Sequence, residues 1–328
     1  MLIVRTVMNK MRYLIIIISL LILPGCGIMT LFTGGNKPPL QVIDIHTGTE
    51  GLKMDFMKDM PLSTYRVAEK GIPIMITLNL ENKGAARLGE DTTIAVNTDK
   101  SYIILDKYIT NIAMEGKTPE HPEEGEKAKL TFSGMIQPLR MEREDTRVDV
   151  TACYRYSIEG HYSICIDTDQ ANLRTGTKAC SIDDNGNLGS LSGQGGPVGS
   201  NKIEAIFNEN LDSITPEFMI HVRNFGEGRI FSTSKTPGEL CSSALKDDSS
   251  FNVVFVKAYL AGREFICDPN PLIMDPEGDD NYVLCRNAGY TISANTQSFT
   301  SSLVIQMEYN YVDSISQPVT LERIKTIN

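Results

Sequence analysis

The chain has 328 residues and a formal net charge of −10, with 31 lysine and arginine residues against 41 aspartate and glutamate residues. This acidic balance, without clusters of basic residues, excludes nucleic acid as an expected partner, because phosphate binding needs concentrated positive charge. A hydrophobic content of 41% is ordinary for a folded protein and excludes a disordered chain.

The first predicted element is a signal peptide or membrane anchor over residues 1–25. Its apolar core, Leu14–Leu23, follows basic residues and is about half as long as a membrane-spanning helix needs. The letters LPGC, which end at Cys26, resemble the lipobox of exported lipoproteins, in which the cysteine is lipidated. Pro24 departs from that pattern, so an unlipidated anchor or ordinary cleavage stays the alternative.

A tether rich in glycine and proline is predicted over residues 26–40. Strand patterns dominate beyond it: residues 74–82 alternate apolar and polar side chains, which indicates a strand with one buried face. Two alternating runs around Glu159-Gly160 predict a hairpin, and Arg140–Thr146 is a short helix candidate. The chain is therefore predicted to be all-β, with strand spacings typical of sandwiches.

Residues 181–200 interrupt the strands. They are rich in glycine, serine, asparagine and aspartate and contain almost no large apolar residue, so they predict a linker. The expected domains are two β-sandwiches in tandem, at residues 41–180 and 201–323.

The two halves resemble each other, which indicates an internal repeat. The matching segments, in the same order in both halves, are Ile76–Ala85 with Phe218–Gly228, Thr131–Gln137 with Thr291–Gln297, and Cys153–Ile166 with Glu308–Leu321. The first pair ends each strand in Asn-x-Gly, which predicts a turn, since glycine tolerates a positive φ and asparagine can bond the turning backbone. Each half is therefore expected to adopt the same fold.

The last pair shares the motif Tyr-x-Tyr, with Tyr154 and Tyr156 in the first half and Tyr309 and Tyr311 in the second. In a strand, both rings of a motif point to one face. Packing at the edge of the core, with a hydrogen-bonded hydroxyl, is one interpretation. A tyrosine-lined ligand contact is the other, which makes these four residues candidates for stacking on a sugar.

Strands that end in Asn-x-Gly resemble the immunoglobulin-like domains called CARDB and related repeats of archaeal and bacterial surface proteins. Gly51–Ala85 looks like the opening of such a module, and Ser192–Glu204 looks like the start of a second one. The resemblance implies immunoglobulin-like sandwiches exposed at the cell surface, in adhesion, scaffolding or envelope assembly. It implies no catalytic residue.

Six cysteines remain besides Cys26, and in an exported chain an even number predicts disulfides. The pairs Cys165–Cys180 and Cys267–Cys285 each bracket a polar loop and are favoured. Cys153 and Cys241 are then left either to form a bridge between the two domains or to stay free. A bridge from Cys153 to Cys165 across the predicted hairpin stays open as the alternative.

No catalytic motif and no close cysteine or histidine spacing appears, so neither an enzyme nor a metal site nor a cofactor is expected. The four scattered histidines are interpreted as ordinary surface or edge-strand residues. The loops Asp275–Asp280 and Ser181–Asn187 are rich in oxygen ligands, and weak Ca²⁺ sites are the alternative there to solvated turns.

Together these features predict a non-catalytic lipoprotein of the cell surface, anchored to the membrane, that binds or scaffolds through two sandwiches. The expected partner is a surface protein or a glycan. The alternatives are a carbohydrate-binding or adhesion protein, and an accessory subunit of a surface enzyme or of secretion or pilus assembly. Strand addition at an exposed sheet edge is one contact mode.

Overall fold

The computed structural model describes residues 44–173, 177–182, 191, 193–242, 250–276, 278 and 281–324. Residues 44–328 belong to one compact unit. The predicted signal peptide, the tether and Cys26 lie outside the described residues, as do most of the acidic residues of the two candidate Ca²⁺ loops. No helix in the described part of the chain is long and apolar enough to cross a membrane.

The described residues form seventeen strands and one short helix. The first nine strands are β1 (Leu52–Phe56), β2 (Thr64–Val67), β3 (Ile72–Asn82), β4 (Leu88–Thr98), β5 (Ile103–Leu105), β6 (Ile109–Met114), β7 (Lys127–Ile136), β8 (Arg143–Ile166) and β9 (Val198–Glu209). The others are β10 (Ser213–Asn224), β11 (Arg229–Phe231), β12 (Val253–Leu260), β13 (Arg263–Asp268), β14 (Leu272–Ile273), β15 (Tyr282–Arg286), β16 (Ile292–Ser293) and β17 (Phe299–Arg323), with helix α1 (Pro237–Ser242) between β11 and β12.

The all-β prediction is confirmed, and alternation along the strands explains it. In β3, Ile74, Ile76, Leu78 and Leu80 are at most 2% exposed, whereas the outward-facing Met75 is 49% exposed. A period of two places every second side chain on the same face, so this pattern fits a strand with one buried face. The helix predicted at residues 140–146 is wrong, because β8 already begins within that segment.

Two sheets of what we call the first lobe enclose a hydrophobic core. One sheet has the strand order β1-β3-β7-β5, and the other contains β6-β4-β8-β17 with β2 beside the end of β17. In the second lobe, β9, β10, β15 and β16 form one layer, and β13 joins β15 to β12, β17 and β8. Buried residues from both lobes belong to one hydrophobic cluster.

The strands β8 and β17 run through both lobes as one antiparallel pair. They are 24 and 25 residues long and pair continuously from Ile166 with Phe299 to Arg143 with Glu322. The hairpin predicted at Glu159-Gly160 is therefore wrong. Gly160 instead makes room for a ring, since a Cβ atom there would lie 2.5 Å from the hydroxyl oxygen of Tyr162.

Each long strand completes a sheet in both lobes. In the first lobe, residues 148–153 of β8 pair with β4 and also with residues 312–317 of β17. In the second lobe, residues 303–308 of β17 pair with β12 and also with residues 157–162 of β8. These pairings interleave the segments predicted as separate domains, 41–180 and 201–323, because each lobe contains a strand from the other half.

The structure reproduces two of the three sequence repeats. Asn82 lies opposite Leu52 at the start of β1, and Asn224 lies opposite Val198 at the start of β9. The predicted structural equivalence of Thr131–Gln137 and Thr291–Gln297 is wrong. The strand β7 pairs with residues 72–81 of β3, whereas β16 pairs with only the first two residues of β10. A short match within strands of similar composition does not determine register.

The predicted linker 181–200 needs correction over its last eight residues. Residues 193–200 are all buried. The N–H of Gly195 donates to the carbonyl of Gly48 at 2.8 Å, and the carbonyl of Gly195 accepts from the N–H of Ala85 at 2.8 Å. Glycine lacks a side chain, so this segment can lie directly against its neighbours and satisfy its backbone groups there.

Three disulfides connect the six cysteines: the two favoured pairs, Cys165–Cys180 and Cys267–Cys285, and the bridge Cys153–Cys241, which the sequence left open. Such bridges are typical of proteins in an oxidising compartment outside the cytoplasm. Cys241 lies in helix α1, whose first turn is capped by reciprocal hydrogen bonds between Thr236 and Glu239. Leu240 packs the helix onto a small cluster with Cys153, Phe231 and Val312.

We expect the double variant Cys153→Ala/Cys241→Ala to lose more stability than Cys165→Ala/Cys180→Ala. The first bridge closes 88 residues and the second closes 15. In the chain-entropy model these loops correspond to about 4.5 and about 3 kcal/mol in the free energy of unfolding. Urea unfolding of both variants measures the difference, and a larger loss from the shorter loop would contradict the expectation.

Candidate functional site

The four candidate tyrosines lie together at the centre of the β8–β17 pair. Tyr156 is directly opposite Tyr309, and Tyr154 is directly opposite Tyr311. Their rings form a continuous cluster, with centroids 5.8 to 6.3 Å apart between neighbours. Tilted and edge-to-face arrangements at such distances are favourable for aromatic rings.

The hydroxyls of Tyr156 and Tyr311 bind the two Asn-x-Gly turns. Tyr156 accepts a hydrogen bond from the N–H of Ala86 at 3.3 Å and donates to the carbonyl of Gly195 at 3.1 Å. Tyr311 accepts from the N–H of Gly228 at 2.8 Å and donates to Oδ1 of Asn224 at 3.2 Å. In equivalent positions, each tyrosine therefore stabilises the turn that leaves β3 or β10.

The asparagine of each turn completes the same arrangement. Asn82 donates from Nδ2 to the carbonyl of Ala86 at 2.8 Å, and Asn224 donates to the carbonyl of Gly228 at 2.9 Å. The Oδ1 atom of each accepts from the glycine N–H two residues later, at 3.2 Å in both turns. These asparagine contacts confirm the predicted turn, but the positive φ expected of its glycine is wrong, since neither Gly84 nor Gly226 has one. Glycine is needed there instead because a Cβ atom would collide with the hydroxyl of Tyr156 or Tyr311.

The other two hydroxyls bind the strands that begin each lobe. Tyr154 accepts from the N–H of Leu52 at 3.3 Å, and Tyr309 accepts from the N–H of Val198 at 3.2 Å. The repeat of the sequence is thus a repeat of hydrogen bonds, related by an approximate twofold axis near the paired residues Arg155 and Asn310.

The tyrosines do not form an exposed surface for a sugar. Each of the four is at most 2% exposed. Burial, the largest cause in each case, raises the pKa of all four phenols, that of Tyr311 to about 12. The interpretation as ligand contacts is therefore corrected, and the other interpretation, packing with hydrogen-bonded hydroxyls, describes these residues.

The acidic loop before β15 is organised by an asparagine. Asn281 accepts from the N–H of Asp275 at 2.6 Å and donates to the carbonyls of Asp275 and Gly278 at 3.0 and 3.1 Å. Within the described residues, no group of three or more histidine, cysteine, aspartate or glutamate side chains is arranged to hold a metal ion. These contacts form a hydrogen-bonded turn, and the Ca²⁺ alternative stays a prediction because most acidic residues of the loop lie outside the described residues.

The outer face of the β1-β3-β7-β5 sheet carries an exposed apolar patch at one end. Met75, Ile104 and Met135 are 49%, 46% and 41% exposed. Met135 lies opposite Ile104 on β5 and opposite Pro73 on β3, so the side chains adjoin. We call this cluster of Pro73, Met75, Ile104 and Met135 the apolar patch.

The other end of the same face is charged. A shallow recess there is lined by side chains of both signs, Asp55, Glu81, Lys127 and Lys129, together with Asn79. Lys127 forms ion pairs with Glu81, at 3.8 Å, and with Glu124. Exposed apolar side chains on the same sheet face as mixed charges are a combination also found in protein–protein contacts.

The sequence analysis did not single out the apolar patch. One feature of the sequence could have indicated the patch. Met75 and Met135 are apolar residues at outward positions of strands whose opposite face is already hydrophobic. What the sequence lacked was the order β3-β7-β5, which brings these residues of separate strands together.

No protein-family model matches the chain, and no curated protein matches it in sequence. A crystal structure of a DUF4466 family protein from Parabacteroides merdae aligns over 78% of this chain and 99% of that one, with 12% identity and a TM-score of 0.16. The collagen binding domain of the surface protein RspB of Erysipelothrix rhusiopathiae aligns over 85% and 99%, with 7% identity and a TM-score of 0.14. Such TM-scores do not establish a shared fold.

We expect Tyr156→Phe and Tyr311→Phe each to lower the free energy of unfolding by roughly 1 kcal/mol, because each leaves a part-buried backbone N–H without its partner. Chemical denaturation measures the loss. Tyr162→Phe is the matched control, since its hydroxyl is buried and has no hydrogen-bond partner among the described residues. Equal losses in all three variants would show that the hydroxyl contacts to the turns contribute nothing specific.

We expect Asp313→Asn to stabilise the protein at neutral pH. Burial, and secondarily the charge of Glu227, raises the pKa of Asp313, while a hydrogen bond from the N–H of Ser314 opposes the shift. A carboxyl with a raised folded-state pKa favours folding when it is protonated, and this contribution is lost as the pH rises through that pKa.

Thermal unfolding at pH 7 and at pH 3 measures the stabilisation by Asp313→Asn, which should fall toward zero at the lower pH. Asp145→Asn is the control of opposite sign, because hydrogen bonds from Thr320 and Arg143 lower the pKa of Asp145. That variant should be less stable than the parent at neutral pH. A destabilised Asp313→Asn at pH 7 would contradict the assignment.

Proposed function

We propose that this protein is a non-catalytic binding or scaffolding protein of the cell surface that contacts a protein partner through the apolar patch. The observation that carries the proposal is the exposure of Met75, Ile104 and Met135 together on one sheet face. Three separate strands present these side chains, so the patch is held in place before any partner arrives, which lowers the entropy cost of binding.

We interpret the two lobes as immunoglobulin-like sandwiches. The equivalent turns after β3 and β10, with the same tyrosine and asparagine contacts, support a tandem repeat of one fold. The exchange of β8 and β17 between the lobes makes them one body. In this proposal the two modules present surfaces in a fixed relation instead of moving independently.

The proposed location is the outside of the membrane, with residues 1–25 as signal or anchor and Cys26 as the lipidated residue. The disulfides support the oxidising side. Mass spectrometry of the N-terminal peptide tests the anchor, since a mature peptide that begins at a lipid-modified Cys26 is expected. Cys26 recovered unmodified and still joined to Gly25 would refute lipidation.

One alternative is an accessory subunit of a surface enzyme or assembly machine, and such a subunit would also have to bind another protein. Carbohydrate binding loses the support that the tyrosines were expected to provide, because their rings are buried. Capture of a glycan instead of a protein in the cross-linking experiment below would favour carbohydrate binding.

We expect a photo-reactive amino acid at position 135 to cross-link one recurring surface protein in native cells, identified by mass spectrometry. Position 273 is the matched control, because Ile273 is 71% exposed but lies on β14, outside the apolar patch. The substitution Met75→Asp in the same chain should remove the cross-link, since a charge in a contact core is costly. Equal capture from both positions, or glycan alone, would contradict the proposal.

A further inference from the structure

His46, which lies near the start of the described residues, is close to His161, which is distant in the sequence. The ring of His46 is 5.6 Å from the ring of His161 on β8, measured between centroids. Both side chains reach solvent, with exposed fractions of 29% and 48%. Zinc lies about 2.0–2.1 Å from an imidazole nitrogen, so two imidazoles that share one ion have centroids about 5–6 Å apart. The observed spacing falls within that range.

Each of the two histidines also has a carboxylate beside one ring nitrogen. Oδ1 of Asp44 lies 3.5 Å from Nδ1 of His46, and Oε1 of Glu159 lies 2.8 Å from Nε2 of His161. The other oxygen of Glu159 accepts from Nε2 of Gln306 at 2.6 Å, which orients the carboxylate. Histidines that bind metals commonly donate their second ring N–H to such a carboxylate.

This arrangement leaves one nitrogen of each ring for a ligand. Nε2 of His46 and Nδ1 of His161 make no hydrogen bond to another described residue. The segment that carries His46 is already held against the body, because Nζ of Lys117 donates to the carbonyl of Thr47 at 2.8 Å and Gly195 donates to that of Gly48. The backbone that carries His46 would therefore need little further ordering when a metal binds.

We propose that His46 and His161 bind one divalent transition metal ion, with zinc as the representative, in a site whose remaining positions are filled by water. Imidazole nitrogens suit zinc, copper and nickel. Two protein ligands make the site open, in keeping with the lack of any three-ligand group among the described residues. The bound ion would fasten residues 44–48 to β8. This inference does not depend on the proposed function.

Isothermal titration of the full chain in detergent with zinc chloride at pH 7.5 tests the proposal. We expect one zinc ion per chain, and an affinity lower by about tenfold or more in His46→Ala and in His161→Ala. His121→Ala is the matched control, because His121 is exposed on the loop between β6 and β7 and should leave the affinity unchanged. Binding should weaken at pH 5.5, since protons compete with the metal for imidazole.

A second measurement keeps the test independent of how the variants fold. In the parent chain, zinc should shift the ring-proton NMR signals of His46 and His161 and leave those of His121 and His221 in place. The proposal is overturned if zinc does not bind, if both alanine variants bind it as tightly as the parent chain does, or if the shifted signals belong to other histidines.

Discussion

The antiparallel pairing of β8 with β17 is the constraint on which the rest of the structure depends. One register, with Tyr156 opposite Tyr309 and Tyr154 opposite Tyr311, places four rings on the same face at the centre of the molecule. A slip of one residue in either strand would turn the two rings of that strand to the other face. Since the same two strands complete the sheets of both lobes, this register also determines how the lobes are joined.

The four hydroxyls extend that constraint to the surrounding backbone. They reach the first residues of β1 and β9 and the turns after β3 and β10, which are the equivalent places in each half. Small residues make the approach possible, because a Cβ atom at Gly84 would lie 1.7 Å from the hydroxyl oxygen of Tyr156 and one at Gly226 would lie 2.3 Å from that of Tyr311. The glycines of residues 193–196 close the centre from the remaining side.

In the proposed function, recognition takes place at the periphery, because the centre of the molecule is filled by buried side chains. The tyrosines, which carry the most distinctive motif of the sequence, are used entirely for internal contacts. The apolar patch lies instead on ordinary strand positions of the four-stranded sheet, and the paired histidines lie where the first described residues meet β8. Both features combine side chains from segments that are distant along the chain.

The sequence by itself determined the local features: the all-β class from alternation, the Asn-x-Gly turns from their backbone chemistry, and the pairing of the loop-bracketing cysteines. These depend on residues that are close along the chain, or on the redox preference of an exported protein. Only the tertiary structure decided that Glu159-Gly160 continues a strand, that residues 193–200 are buried, that β8 and β17 are shared between the lobes, and that His46 meets His161. Each of these depends on which distant partner satisfies a strand's hydrogen bonds or fills the space beside a glycine, and a period of two in one strand carries no information about that partner.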